Sequence, residues 1–104
     1  MNTASTIYLG DLRTQATHIR SGNQIITDAP PDNHGKGEAF SPTDLVSAAL
    51  LSCMMTVVGI MANTHQIDVS GMTGEVLKVM GTDPRRITKI HIELRFPRDY
   101  KEHD

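Results

Sequence analysis

A chain of 104 residues with 38% hydrophobic and 21% charged residues has the composition of one small globular domain, and the expectation is a single domain over residues 1–104. Its formal charge of −2 supplies no electrostatic footprint for nucleic acid, and the short basic cluster of Arg85, Arg86 and Lys89 reads as a solvated turn. The single cysteine forms no internal disulfide, and the start MNTASTIYLG lacks the basic and apolar regions of a signal peptide, so the expected location is cytoplasmic.

Three short β-prone runs come first, at residues 6–9, 12–19 and 24–27, separated by Gly10 and by Ser21-Gly22-Asn23. Glycine reaches positive φ without steric cost, so these breaks predict turns and the runs predict an antiparallel meander with one wet face. Residues 29–40, APPDNHGKGEAF, have no apolar period and predict a long loop, read as a flexible entry to a helix. Its glycines match no phosphate-binding pattern.

The helix itself carries the clearest start signal. Ser41 is placed to cap it, Pro42 to occupy its first position, and Asp44 to complete a capping box at the positive end of the helix dipole. Residues 45–62, LVSAALLSCMMTVVGIMA, are uncharged over about the 18 residues that a membrane span requires. Serines, a threonine and a glycine inside the run, flanks without Lys or Arg, and β-strands on either side argue against a span. A helix apolar on every face is otherwise buried from all sides, against its own sheet and a second chain. A domain this small buries only about 60–65% of its unfolded surface, which also favours a partner, and a homodimer is expected.

After Asn63-Thr64-His65, residues 71–81 predict a strand, 82–85 a turn and 87–96 a second strand. In the latter, Ile90, Ile92, Leu94 and Phe96 alternate with Lys89, His91, Glu93 and Arg95, the period of a strand with one face inward and one in water. The charged tail beyond it is expected to fray.

Cys53 lies near the middle of the helix, away from the first turn, where the dipole would favour a thiolate. On residue type alone, a lone cysteine among Leu, Met, Val and Ala reads as a small core hydrophobe. Reactivity requires a cation from elsewhere, and Arg13, Arg20, Arg85, Arg86, Arg95 and Arg98 are available. His18, His34, His65, His91 and His103 show no metal-ligand spacing, and no GxSxG nucleophile elbow occurs, so neither metal nor cofactor is expected.

The stretch TDAPPDNHGKGEAFSPTDLVSAALLSCMMTVVGIMA and the later GMTGEVLKVM and PRRITKIHIELRFP resemble the OsmC/Ohr family. There, a Gly-rich loop leads into an S/N-P-x-x-L helix start and a cysteine on a central apolar helix. The resemblance runs over residues 9–97 and is most specific over 41–53. It implies an α+β fold with an N-terminal antiparallel meander, a long buried central helix and a C-terminal β-hairpin. Two such chains interlock, with their helices back to back.

In hydroperoxide-reducing members of that family, the helix cysteine attacks the peroxide as a thiolate. An arginine from the N-terminal sheet stabilises the thiolate, and a glutamate at the helix start orients the arginine. Carried over, the resemblance assigns the nucleophile to Cys53 and the arginine to Arg13, with Arg20 as second candidate. Thr43 stands where the family has its glutamate, and Asp44, nine residues before Cys53, falls on the opposite helix face at about 100° per residue. Family members also carry a resolving cysteine on a further helix. The sequence here is read as short at the C-terminus, so an external dithiol reductant is expected.

The implied function is thiol-dependent reduction of organic hydroperoxides, consistent with apolar Leu50, Met54 and Val57 near the thiol. The alternative is a non-catalytic ligand-binding or structural dimer with Cys53 as core packing. Neither nucleic acid nor membrane is an expected partner.

Overall fold

A computed structural model describes residues 1–97. The tail from residue 98, with Arg98 and His103, for which fraying was expected, lies outside the described residues. The chain has an α+β architecture and falls into two compact units, residues 1–45 and residue 46 onward.

The first unit holds strands β1 (Ala4–Gly10), β2 (Arg13–His18) and β3 (Gln24–Asp28), an antiparallel sheet in the order β1-β2-β3. This is the expected meander. A bulge at Leu9 shifts the register between Tyr8, opposite Thr14, and Gly10, opposite Arg13. Beyond it Gly10, Asp11 and Leu12 all take positive φ to reverse the chain. The second reversal is tied by the Gly22 amide, which donates to the His18 carbonyl at 2.7 Å. In the β2–β3 register Arg13 lies opposite Asp28, and Thr14 lies opposite Thr27. The two threonine hydroxyls share a hydrogen bond, a pair type that adds to sheet stability.

Residues 29–40 are not the flexible entry expected. They contain a short 3-10 turn at Pro31–Asn33, and backbone hydrogen bonds fasten them at several points. Asp28 N–H donates to Phe40 O at 3.0 Å, Ala29 N–H to Leu12 O at 3.1 Å, and Gly35 N–H to Pro30 O at 2.9 Å. A Cβ at Gly35 would overlap the Ala29 carbonyl, so the glycine is there to let the loop close on itself. A missing apolar period is not missing order, because hydrogen bonds, most of them between backbone groups, order this loop.

Helix α1 (Pro42–Thr64) begins as its start signal predicts. The Asp44 amide donates to Ser41 Oγ and the Ser41 amide donates to Asp44 Oδ2, each at 3.0 Å, a reciprocal capping box.

In the second unit α1 packs on an antiparallel hairpin of β4 (Thr73–Gly81) and β5 (Arg86–Arg95). The approach is close at Gly74, where a Cβ would come within 2.8 Å of Leu51 Cδ1 and 3.2 Å of Met55 Sδ. A side chain there would hold the helix off the sheet. The turn is held by the Arg86 guanidinium, whose Nη1 donates to the carbonyls of Thr82 and Pro84 at 2.8 Å.

The expected alternation in β5 holds for Ile90, Ile92 and Leu94, which are half-buried while Lys89, His91, Glu93 and Arg95 are exposed. Phe96 lies past the strand end and is exposed. Ile87 is out of phase in sequence yet also half-buried, because the register shifts between Val79, opposite Lys89, and Met80, opposite Ile87. Thr88 is the extra residue of this bulge, and its hydroxyl donates to the Val79 carbonyl at 3.1 Å.

The helix is buried along one stripe. Ser47, Leu51 and Ala62 are buried, whereas Val46, Leu50, Met54, Val57 and Ile60 are exposed. Burial against the chain's own sheet is thus as expected, and the other face is open in the single chain. A two-stranded hairpin covers only one side of a helix.

Candidate functional site

Cys53 is a free, exposed thiol. Within the single chain it is not the core hydrophobe that its residue type suggested, and helix geometry supplies the reason. Leu51 and Met55 point at the hairpin, and Cys53 is two residues from each, a rotation of about 200° that sends it away. Its neighbours one turn along the helix are Leu50 and Val57, both exposed. The thiol therefore sits on an apolar stripe, fixed by a rigid element.

Arg13 belongs to the first unit and occupies the start of β2. Its Nε donates to Asp28 Oδ1 at 2.7 Å and its Nη2 to Asp28 Oδ2 at 2.8 Å, the two-pronged geometry that makes arginine–carboxylate pairs strong. Nη2 also donates to Glu38 Oε1 at 2.8 Å. Glu38 is tied a second time, its backbone amide donating to Asp28 Oδ2 at 3.2 Å. The Asp28 side chain is 1% exposed and that of Glu38 is 65% exposed, so one partner is fixed in the fold and the other stands in water.

The electrostatics follow from these contacts. The hydrogen bond from Arg13, helped by its charge, holds the Asp28 carboxyl below its ordinary value against the opposing effect of burial. The hydrogen bonds to Asp28 and then Glu38 push the Arg13 guanidinium further above its already high value, so it stays charged throughout.

The other sequence candidates do not share this arrangement. Arg20 lies past the far end of β2 and is exposed, beside a hollow of about 200 Å³ formed with Met1, Asn2, Thr3 and His18. Thr43 stays at the helix start, its hydroxyl 3.2 Å from Ser41 Oγ, and Asp44 serves the cap. Asp28 and Glu38 were missed from the sequence. Asp28 could have been found from hairpin register, which sets it opposite Arg13; Glu38 carries no local signal.

In the second unit an open apolar cavity of about 300 Å³ lies beside the end of α1, lined by Val58, Met61, Ala62, His65, Ile67, Val69 and Phe96. Among the described residues no three His, Cys, Asp or Glu side chains converge as metal ligands would.

A meander bearing a carboxylate-held arginine, followed by a long helix with an exposed thiol and a closing hairpin, defines an α+β thiol-bearing scaffold. Residues 35–103 match the family model described as OsmC-like protein, and the chain belongs to that family. It is also similar to a crystal structure from Psychrobacter arcticus 273-4, named for an osmotic stress induced and detoxification response protein. The two share 53% identity with a TM-score of 0.95, over 99% of this chain and 75% of that one. No curated protein matches the sequence.

Proposed function

We propose that the chain acts in a stress and detoxification response as a thiol-dependent reductase of organic hydroperoxides, with Cys53 as nucleophile and Arg13 as the cation that supports its thiolate. The carrying observation is the placement of Cys53, an exposed thiol on a rigid helix flanked by exposed Leu50 and Val57. Apolar neighbours suit an alkyl hydroperoxide better than hydrogen peroxide, because burying the alkyl group contributes binding. Family membership and the name of the Psychrobacter relative support the same direction.

The chemistry requires no cofactor. The Cys53 thiolate attacks the terminal oxygen of ROOH, the O–O bond breaks, and the products are the sulfenic acid and RO⁻, which takes a proton to become ROH. A dithiol reductant then supplies one thiol to displace water from the sulfenic acid as a mixed disulfide. Its second thiol releases the Cys53 thiol and leaves as the cyclic disulfide. Prompt reduction matters because a lingering sulfenic acid is oxidised further. A guanidinium beside the sulfur supports the thiolate first and the departing alkoxide second.

The assembly proposed is a cytoplasmic homodimer in which a counterpart covers part of the exposed apolar face of α1 and leaves Cys53, with Leu50 and Val57 beside it, within reach of the peroxide. The helix is long and apolar enough to cross a membrane, with 17% of its most apolar window buried. A second chain is the better cover, because the helix already packs one side on a soluble hairpin. The same stripe also favours a second reading, a structural or ligand-binding dimer in which the partner chain covers Cys53 as packing.

Cys53→Ser separates the two readings. In the first it abolishes dithiol-dependent consumption of cumene hydroperoxide, and activity that survives the substitution eliminates it. In the second, iodoacetamide leaves the thiol of the folded protein unmodified near neutral pH, and rapid labelling argues against it.

A further inference from the structure

We propose that Met54 and Met61 are oxidised to sulfoxides by hydroperoxides that meet the open face of α1, and that the change makes the surface beside Cys53 a poorer host for an alkyl group. The oxidation needs no other residue, whereas its effect on turnover rests on the reading that Cys53 is the nucleophile.

The methionines of the helix divide by side. Met55 turns its sulfur to the hairpin, 3.2 Å from where a Cβ on Gly74 would stand, and is half-buried. Met54 is 40% exposed and Met61 is 59% exposed. One residue along a helix is a rotation of about 100°, which carries Met54 off the side that holds its neighbour. Met61, seven residues after Met54, returns to within about 20° of it. Leu50 is four residues before Met54, and Val57 lies three after it and four before Met61, the spacings at which side chains on a helix meet. All four are exposed, so the two thioethers extend the apolar surface that Leu50 and Val57 give to the thiol.

A thioether is polarizable and, unlike a thiol, needs no deprotonation to react. Its sulfur lone pair attacks the outer oxygen of ROOH, the S–O bond forms as the O–O bond breaks, and the proton of that oxygen passes to RO⁻ to give ROH. The sulfur loses two electrons and the peroxide gains them. The product is a polar, chiral side chain in place of a flexible apolar one. Two such groups next to Leu50 and Val57 reduce the apolar area that a bound alkyl group can cover. Hydrogen peroxide has no alkyl group and loses nothing by the change.

Peptide mapping of Cys53→Ser after exposure to tert-butyl hydroperoxide tests the oxidation without thiol chemistry. Met54 and Met61 are expected to gain oxygen several-fold faster than Met55, and equal rates overturn the proposal. Paired substitutions read the effect on turnover. Met54→Gln with Met61→Gln imitates the sulfoxides, and Met54→Leu with Met61→Leu keeps the surface apolar and controls for folding. The glutamine pair is expected to raise KM for cumene hydroperoxide roughly 3- to 10-fold with kcat little changed. The leucine pair should match the wild type, and hydrogen peroxide should be consumed equally by all three. A KM that is the same in the two pairs overturns the effect on turnover. Hydroperoxide consumption surviving Cys53→Ser instead overturns the reading of Cys53, and the effect on turnover falls with it, while the peptide map still decides where oxygen is added.

Discussion

Residues 1–45 bury Asp28, Thr27 and Ser41 while leaving Ile7, Tyr8 and Leu9 in water; the second unit buries Leu51 and Ala62 and, as a polar exception, Ser47. The first unit is thus specified by directional polar pairs: the Arg13–Asp28 fork, the Thr14–Thr27 hydroxyl pair and the capping box. The second relies on close apolar approach of α1 to the hairpin at Gly74. The contrast matters for chemistry. Polar pairs fix the direction in which a cation points, whereas packing fixes the position of a helix without regard to what its far side carries. An arginine suits the first kind of structure, and an exposed thiol suits the second.

The contrast is broken most severely in the second unit. Leu51→Ala removes one of its few buried hydrophobic side chains and is expected to cost about 2–5 kcal/mol, the range for large-to-small core substitutions. Urea unfolding monitored by circular dichroism measures it. A loss well under ~1 kcal/mol would mean that packing is not what holds this unit.

Asp28→Asn tests the polar side through pH. The folded protein holds the Asp28 carboxyl below its ordinary value, so the unfolded state takes up the proton first as the solution is acidified. Its contribution to stability is therefore complete above the unfolded carboxylate value of about 3.9 and is lost as pH falls through the lower folded value. The wild type should lose stability across that acidic window, and Asp28→Asn should flatten the loss. Denaturant midpoints at a series of pH values give the comparison, and identical acid slopes would remove Asp28 from the account.

Ser41→Ala is the smallest of the three, about 0.5–2 kcal/mol for a lost cap. Because Ser41 Oγ accepts from the Asp44 amide, the first turn of α1 should fray before the hairpin does. Hydrogen exchange at the amides of Thr43 and Asp44 reads this directly.

Much of the fold was legible in the sequence because its signals are local. Turn glycines separated the meander strands, Ser41, Pro42 and Asp44 marked the helix start, and alternation over residues 90–94 marked a strand. Each depends on a few neighbouring dihedral angles or on period, which a linear string records. Recognition of the family rested on such local pieces too, and with it the choice of Cys53 and Arg13 for attention.

What required tertiary structure was everything set by register and by which side of an element is covered. The bulge at Thr88 brings Ile87 into phase with Ile90 through a register shift no alternation rule contains. The loop at 29–40 is ordered largely by backbone hydrogen bonds, several of them to residues distant in sequence, which no local period records. Asp28 and Glu38 meet Arg13 across separations of 15 and 25 residues. Cys53 is exposed because the hairpin takes the stripe of Leu51 and Met55 instead. A uniformly apolar helix has no preferred inward side in its own sequence, so only the element packed against it decides which residues remain free to react.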